Sequence, residues 1–484
     1  MLVEAAGPLV MTSGNRGGEP IITEEEEMRN LMDMGCVDFI LSHNRNIVTP
    51  LEDSILQVVK TEDGPVCQFI RRGRGYVPEA IFLDRALSEP TLAAGGDLKA
   101  SFALGKGHAV YMSSYFGDLE DYRAVMKREE SMEHMDALLH VNPQRMVGDM
   151  HPGYVSAQKA AIRIQHHHAH ILSVAAEHKL LSDEKKCCLG VAYDGTGYGT
   201  DGSVWGSEFL LCQGNSCKRM GHWEAVFMAG SNQGARDGML SLAAYLYEAC
   251  QRGMCSHDEM MQVLEQRREH RTMEQFQMLF DMIQQKIGAV PSSSMGRLYD
   301  AAAALIGACS YNSYEGECPI ALEMMAQEAL EKGMEPVELT VDIRQEQGVW
   351  LADGVGLILG LARGLSQGVA PQAAALGFHD AVAQATQKLC GAIAPMVHSC
   401  ENTDRKAETQ QGSESNACSV SENVPIALSG GTFCNRILLG QVMDGLRNCG
   451  YSVYTNEAVP CGDGGIALGQ MYYATFKKEE TLCV

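Results

Sequence analysis

The 484-residue sequence lacks several patterns that would assign it to a class directly. No two of its 17 cysteines stand in a C-x-x-C spacing, which excludes the usual zinc-ribbon and thioredoxin-like motifs. The cysteines are scattered from Cys36 to Cys483. Because scattered thiols in a long chain are typical of reduced proteins, we expect a cytoplasmic location.

Long apolar runs are also absent. No stretch approaches the ~20 apolar residues of a membrane span. The opening segment MLVEAAGPLVMTSGN has no basic region followed by an apolar one, so we expect neither a signal peptide nor a membrane partner. The composition, with 45% hydrophobic and 20% charged residues, is that of a globular protein, and the length predicts two or three domains.

Positive charge is scarce. The chain has 38 Lys and Arg against 61 Asp and Glu, a formal net charge of −23. Such a surface repels other polyanions, so it argues against a long nucleic-acid groove. A nucleotide would have to be held by local devices, namely backbone amides, a few arginines or a metal ion.

Three segments indicate the organisation of the chain. Leu9 to Met11 predict a buried strand that runs into a glycine-rich turn; its partners are either later strands or strands of a domain inside which the chain begins. Residues 296–308 predict a helix. Residues 401–423 contain no aromatic and almost no aliphatic residue, which predicts a disordered surface insertion.

A histidine cluster is the first candidate for chemistry. The run Gln165-His-His-His-Ala-His170 follows a short apolar strand and opens an amphipathic helix. His166 and His170 are four residues apart, so one helix face carries both imidazoles. Two imidazoles at this spacing can grip one metal ion. The alternative is a run of half-buried histidines at a helix start.

Two aspartates are candidate partners for such an ion. Asp194 ends the apolar strand CCLGVAY and begins the turn DGTGYG, and Asp463 lies in CGDGG at the start of the last helix. Taken alone, each is better explained as a turn or N-cap residue. They become ligands only in a fold that brings the two strand ends together.

Glycine turns are the third signal. YDGTGYG and LSGGTFCN both follow apolar strands, and such turns present backbone N–H groups to phosphate oxygens. Together with SSMGRLYDAAAAL at the start of another helix, they predict a duplicated nucleotide cleft of the actin and sugar-kinase type. Ser13-Gly14-Asn15 is either a further anion-binding turn or an ordinary one.

These motifs, in this order, resemble the HypF family of carbamoyltransferases, which serve the maturation of nickel–iron hydrogenases. The shared pieces include GGDLKASF, DMHPGY, IQHHHAH, SSMGRLYDAAAALIG and VPCGDGGIALGQ. The resemblance implies an α/β fold: the C-terminal part of a YrdC-like domain over residues 1–85, then an ASKHA (actin/sugar-kinase-like) domain over residues 86–484. Within the second domain, lobes are expected over about 90–230 and 231–484.

The resemblance also implies a reaction. Proteins of this family use carbamoyl phosphate and ATP to make carbamoyl adenylate. They then pass the carbamoyl group to the C-terminal cysteine of the partner protein HypE, where it becomes a cyanide ligand of the hydrogenase iron. By this resemblance the chain is an ATP-dependent carbamoyltransferase that contains one divalent ion, either iron or zinc.

Site residues follow from the matching motifs. His166, His170 and Asp463 would bind the metal, with Asp194 close to the ion and to the phosphates, and His166, His170 and Asp194 would be catalytic. The nucleotide cleft would be lined by Gly195, Thr196, Gly430, Gly431 and Asn435. Gly296, Arg297 and Asp300 would approach the ribose or base, and Ser13 and Asn15 match the Ser-x-Asn element of YrdC domains.

The chain also departs from the family pattern. The family places a Lys/Arg element upstream that completes the YrdC nucleotide site, so the adenylation half is not expected to work in this chain alone. Near residue 50 the family often has Arg-x-Asp-Asp-Ser, where this chain has Leu51-Glu52-Asp53-Ser54. The usual Gly-Gly-Asp and Arg-Glu-Pro-Trp-Arg correspond here to Gly230-Ser231-Asn232 and to residues 236–240.

Three other functions remain open. An O-carbamoyltransferase acting on a small-molecule hydroxyl would share the metal cleft, but such enzymes resemble the reverse domain order. A non-catalytic ASKHA remnant would only bind its partner, and the substitutions at 232–240 motivate this alternative. A threonylcarbamoyl transferase acting on tRNA shares the metal motif, but the net charge of −23 argues against it.

Overall fold

A computed structural model describes residues 2–16, 21–183, 185–230, 234, 236–269, 271–408 and 424–476. They form a mixed α/β protein. The helices are α1 (Leu2–Ala6), α2 (Glu25–Asp33), α3 (Tyr122–Leu139), α4 (His166–His178), α5 (Gly238–Gln251), α6 (His257–Arg267), α7 (Met273–Gln285), α8 (Met295–Ile306), α9 (Glu317–Glu331), α10 (Gly354–Ser366), α11 (Pro371–Glu408), α12 (Arg436–Asn448) and α13 (Ile466–Tyr473).

Within the described residues, the strands form three sheets. They are β1 (Ile55–Val59), β2 (Val66–Arg71), β3 (Ala80–Phe82), β4 (Thr91–Ala93), β5 (Ala103–Lys106), β6 (Ala109–Met112), β7 (Arg145–Asp149), β8 (Ile162–Ile164), β9 (Cys187–Tyr198), β10 (Val204–Gln213), β11 (Ser216–Trp223), β12 (Val226–Ala229), β13 (Ala289–Ser292), β14 (Ile343–Glu346), β15 (Val349–Ala352), β16 (Ile426–Ser429) and β17 (Val453–Thr455). Two short 3-10 turns, Gly431–Cys434 and Asp463–Gly465, precede α12 and α13.

The largest sheet has nine strands. Seven follow the order β14-β15-β11-β10-β9-β16-β17, and β13 joins β12 to β10. β9 and β16 are parallel neighbours, with Ala192 beside Ser429. Because parallel strands lead to the same edge of a sheet, Tyr193 and Gly430 come next on the two strands, and Asp194 then lies beside Gly431.

β9 continues further than the sequence indicates. β9 pairs with β10 as far as Tyr198, and the register of this pairing shifts between Trp205 and Ser207 of β10. The prediction that the strand ends before a turn at Asp194 was therefore wrong. Asp194 and Gly195 lie within the strand. The shift in the pairing of β9 with β10 occurs where a turn was expected.

The protein is layered around a pair of helices. The six-stranded sheet, in the order β3-β6-β5-β4-β7-β8, contacts α13. The nine-stranded sheet contacts α4, and α4 and α13 pack against each other. The helices α5, α8, α10 and α11 form a second apolar core with the other face of the nine-stranded sheet. Two sheets thus enclose the helix that carries the histidine cluster.

The hydrogen-bonded sheets cross the domain boundary expected at residues 85–86 and the lobe boundary expected at residues 230–231. β3 pairs with β6, so the six-stranded sheet begins before residue 85. The nine-stranded sheet combines β9 to β12 with strands that follow residue 231. The division of the chain at these positions stays a prediction, and the hydrogen-bonded sheets do not follow it.

Local predictions had mixed outcomes. The helix predicted at 296–308 is confirmed as α8, which begins after the capping side chain of Ser294 and ends at Gly307 in a left-handed conformation. The strand predicted at Leu9 to Met11 was wrong. Val10 is 97% exposed, and among the described residues no strand pairs with this segment.

The predicted surface insertion at 401–423 stays a prediction. Residues 401–408 continue α11. Residues 409–423 lie outside the described residues. Within the described ranges, no helix has both the length and the apolar character that crossing a bilayer requires.

Gly469 sets the distance between α4 and α13. A Cβ atom at this position would lie 1.8 Å from the carbonyl oxygen of Ala169 on α4. We expect Gly469→Ala to lower the free energy of unfolding by about 1–3 kcal/mol, because the two backbones would have to separate. Chemical denaturation followed by circular dichroism measures this.

Gly391 provides the matched control. It lies in α11, and a Cβ atom there would meet nothing within 4 Å. Gly391→Ala is expected to leave stability unchanged or raise it by about 0.5–1 kcal/mol, since alanine favours the helix. Equal effects of the two substitutions would contradict the close-packing explanation.

Candidate metal centre and nucleotide cleft

The histidine helix α4 presents two imidazoles to one point. It begins after Gln165, whose side-chain oxygen accepts a hydrogen bond of 2.9 Å from the backbone N–H of His168. His166 and His170 are one turn apart, and their ring centres are 5.0 Å from each other. Both side chains are fully buried, so the helix directs them into the interior between the two sheets.

Two carboxylates converge on these imidazoles. The Nε2 atom of His166 is 3.2 Å from Asp194 Oδ2 and 3.7 Å from Asp463 Oδ1. The Nε2 atom of His170 is 3.5 Å and 3.7 Å from the same two oxygens. Asp194 comes from β9, and Asp463 comes from the 3-10 turn that leads into α13. One candidate ligand atom from each of the four residues lies within 4.8 Å of the others.

A third carboxylate orients one imidazole. Asp149, the buried last residue of β7, accepts a 2.8 Å hydrogen bond from Nδ1 of His166. With Nδ1 engaged in this way, Nε2 would offer its lone pair to an ion bound between Asp194 and Asp463. The sequence analysis did not single out Asp149, although it lies in the quoted motif DMHPGY. Its position at the end of a buried strand was the only available signal.

The imidazoles and carboxylates of the cluster shift each other's pKa in opposite directions. Burial alone would lower the pKa of His166, but Asp149, Asp194 and Asp463 raise it well above its ordinary value. Burial would raise the pKa of Asp194, but the hydrogen bond from His166 and the charge of His166 and His170 hold it well below its usual range. The same two histidines lower the pKa of Asp463 against the effect of burial.

The donor set fits a divalent metal ion. Two imidazole nitrogens and two carboxylate oxygens are a combination that both iron and zinc accept. His170 supports this, because neither of its buried ring nitrogens has a hydrogen-bond partner. A buried imidazole without a partner is costly, and coordination would satisfy Nε2. His166, His170, Asp194 and Asp463 would hold the ion.

Glycine segments from three elements surround the carboxylates. The backbone N–H of Gly431 donates a 3.2 Å hydrogen bond to Asp194 Oδ1. Gly430 adopts φ +101°, and a Cβ atom there would lie 2.2 Å from the carbonyl oxygen of Tyr193. Ser294 donates a 2.5 Å hydrogen bond to the carbonyl oxygen of Gly195. The structure thus brings Gly195 next to the start of α8, where Gly296 lies.

The other predicted nucleotide residues differ in their surroundings. Thr196 is exposed beside Gly195. Arg297 forms a 2.7 Å ion pair with the buried Asp300, which also accepts a hydrogen bond from Asn312. Asn435 caps α12, accepting from the N–H of Leu438 at 2.9 Å. Asp300 and Asn435 therefore already have structural partners.

Ser13 and Asn15 lie in a different part of the molecule. The Ser13 hydroxyl donates to Asn15 Oδ1 at 2.6 Å, and the backbone of Gly14 accepts a bond from Ile22 N–H. In the part of the chain that the structure describes, these hydrogen bonds join Ser13 and Asn15 to residues of the same segment and not to the metal cluster. Their role as the YrdC element stays a prediction.

The departures at 230–240 are described only in part. Residues 231–233 and 235 lie outside the described residues. Asp237 caps α5, accepting a 3.0 Å hydrogen bond from Met239 N–H, and it forms an ion pair with Arg271. In this chain Asp237 therefore has a structural role at the start of a helix.

Lys99 is a second residue that the sequence analysis missed. It lies in GGDLKASF, and its Nζ donates a 2.8 Å hydrogen bond to Glu315. Burial would lower its pKa, but Glu315 and Asp463 raise it above its ordinary value. A positive charge therefore lies at the edge of the carboxylate cluster, opposite Glu315, where an anion can approach.

Family models cover most of the chain. Residues 190–400 and 412–470 match the model described as "Carbamoyltransferase, Kae1-like Domain, second subdomain", and residues 86–177 match the "HypF Kae1-like domain". Residues 1–73 match the YrdC-type model described as "Telomere recombination". Fold and site therefore define a Kae1-like protein joined to a YrdC-like segment.

Relatives of known name agree with these models. The chain is 33% identical to carbamoyltransferase HypF2 of Cupriavidus necator, over 96% of this chain and 56% of the relative. It is 32% identical to a carbamoyltransferase HypF homolog of the same organism, over 80% of this chain and 91% of that one. A crystal structure of full-length HypF in a phosphate- and nucleotide-bound form superposes with a TM-score of 0.80 at 32% identity, covering 96% of this chain and 56% of that one.

The chain belongs to the HypF carbamoyltransferase family. It spans 56% of the length of both HypF2 and the full-length HypF structure. The resemblance seen in the sequence is confirmed, as is the α/β fold with YrdC-like and Kae1-like parts.

Asp149 offers a direct test of the metal centre. Asp149→Asn keeps the size of the side chain but removes the charge that orients His166. We expect the affinity for zinc or iron to fall roughly 10–100-fold, as for other carboxylates behind a metal-binding histidine. Competition with chelators of graded strength measures the affinity.

The control is Asp281→Asn on the exposed face of α7, where Asp281 accepts a hydrogen bond from Gln277. This substitution is expected to leave metal affinity unchanged. Wild-type affinity in a folded Asp149→Asn protein would show that His166 needs no orienting carboxylate.

Proposed function

We propose that the chain transfers a carbamoyl group from carbamoyl adenylate to the C-terminal cysteine of HypE. The observation that carries the proposal is the buried cluster of His166, His170, Asp194 and Asp463 in a HypF-family fold. This transfer supplies the cyanide ligand in the maturation of nickel–iron hydrogenases, and we propose a cytoplasmic location for it.

The proposed step exchanges one bond at the carbamoyl carbon. The cysteine thiol loses its proton to water, and its sulfur attacks the carbonyl carbon of carbamoyl adenylate. A carbon–sulfur bond forms, the bond from that carbon to the phosphate oxygen breaks, and AMP leaves. A divalent ion in the cluster would supply Lewis-acid polarisation of the substrate oxygens.

Residues of the chain position the donor in this proposal. In this proposal the adenylate lies across the glycine segments at Gly195, Gly296 and Gly430, of which Gly195 and Gly296 lie side by side, with a Cβ atom on Gly296 2.9 Å from the Cα of Gly195. Lys99 provides positive charge for the phosphate. The relative whose crystal structure contains phosphate and nucleotide supports a nucleotide in this fold.

Activation of the carbamoyl group is a separate matter. Carbamoyl phosphate and ATP are the proposed source of the adenylate, and the YrdC-like part is its proposed site of formation. Ser13 and Asn15 belong to the YrdC-like part, whereas the metal cluster belongs to the Kae1-like part, so two sites would be used in sequence. We propose that the chain, on its own, performs the second step.

The test uses purified chain, HypE and synthetic carbamoyl adenylate, and weighs HypE by intact-protein mass spectrometry. A parallel reaction contains carbamoyl phosphate and ATP instead. We expect a carbamoyl-sized mass gain on HypE with the adenylate, and none with carbamoyl phosphate and ATP. A gain with both donors would show that this chain also activates the carbamoyl group.

His166→Ala identifies the site responsible. It removes one candidate ligand and is expected to lose both bound metal and transfer, while His257→Ala, outside the cluster at the start of α6, keeps both. Full transfer by a metal-free His166→Ala protein would refute the metal assignment. Failure of the folded, metal-bound wild type with the adenylate would favour the non-catalytic remnant or a small-molecule hydroxyl acceptor.

A further inference from the structure

Three cysteines stand side by side on neighbouring strands. Cys188 on β9 pairs directly with Cys212 on β10, and Cys212 pairs directly with Cys217 on β11. Residues paired across a ladder project to the same face of a sheet. All three belong to the apolar core on the α4 side of the sheet, whereas the preceding residue, Cys187, packs into the core on the other side.

A fourth buried group faces this row. A ring nitrogen of His168 on α4 and the sulfurs of Cys212 and Cys217 all lie within 4.8 Å of one another. The side chain of His168 is fully buried, and neither of its ring nitrogens has a hydrogen-bond partner. A polar group buried in this way costs about 1–3 kcal/mol unless it finds a partner.

The spacing of the sulfurs matches coordination to one ion. Two thiolates each about 2.3 Å from a tetrahedral zinc ion are ~3.8 Å apart. The sulfurs of Cys212 and Cys217 are 3.9 Å apart. Cys188 directly adjoins Cys212, so a fourth donor is available on the same face of the sheet.

We propose that His168, Cys212 and Cys217, with Cys188 beside them, form a second metal site that takes a thiophilic ion such as Zn²⁺. Its sulfur-rich donors differ from the imidazoles and carboxylates of the first cluster, so the two sites select ions of different character. Cys212 and Cys217 flank the turn of the β10–β11 hairpin, and His168 lies two residues from both His166 and His170. An ion here ties the hairpin to the helix that carries the first cluster.

The proposal rests on the described side chains alone and does not depend on the proposed carbamoyl transfer. The test titrates metal-free, reduced protein with Co²⁺, which reports its ligands by absorption. Thiolate ligands give a cobalt charge-transfer band in the near ultraviolet, which histidine and carboxylate ligands do not give. We expect two equivalents of Co²⁺ to bind, one of which produces the thiolate band and is displaced by Zn²⁺.

Variants assign the band to this site. Cys212→Ser with Cys217→Ser is expected to abolish the band and reduce binding from two equivalents to one. Cys187→Ser, the adjacent cysteine on the opposite face, is the matched control and keeps both. His166→Ala is expected to lose the other equivalent and keep the band.

The titration of the wild-type protein tests for thiolate ligands even if a variant fails to fold. Folded wild-type protein that binds Co²⁺ without a thiolate band would overturn the proposal, and so would a band that persists in the double variant. Loss of the band also in Cys187→Ser would place the ligating thiols elsewhere. Each of these outcomes leaves the carbamoyl-transfer assay unaffected.

Discussion

Two carboxylates that share a dry interior with two imidazoles are the constraint on which the rest of this structure depends. Moving an isolated carboxylate out of water costs several kcal/mol, so Asp194 and Asp463 must be matched by nearby positive charge. His166 and His170 supply it, and Asp149 accepts a hydrogen bond from the other ring nitrogen of His166, Nδ1. The partners come from β7, α4, β9 and the turn before α13, so the cluster forms only when both sheets are in place.

One helix therefore contributes imidazoles to two clusters within five residues, and the two clusters differ in their other donors. His166 and His170 face Asp194 and Asp463, whereas His168, on another side of α4, faces the sulfurs of Cys212 and Cys217. A hard and a soft site can be close together without exchanging ions when their donors differ in this way.

The sequence was informative where the signal was local. The four-residue spacing of His166 and His170 predicts a shared face, and the structure places both at one point. Asp194 and Asp463 were singled out beside glycines, and the parallel pairing of β9 with β16 helps to bring them together. Asp149, Lys99 and the His168 group were missed because their partners are far away in sequence and depend on strand register. The strand expected at Leu9 to Met11 failed for the same reason, since pairing is decided by the sheet and not by the segment.

The position of α13 has a consequence for how the chain acquires its structure. The six-stranded sheet is built from residues 80–164, but the helix that covers it is contributed by residues 466–473. During synthesis that face stays uncovered until residues 466–473 have left the ribosome, so the six-stranded sheet cannot complete its core before then. Asp463, three residues before α13, reaches the histidines only at that stage. Formation of the metal centre therefore waits for a segment made about 300 residues after the histidine helix.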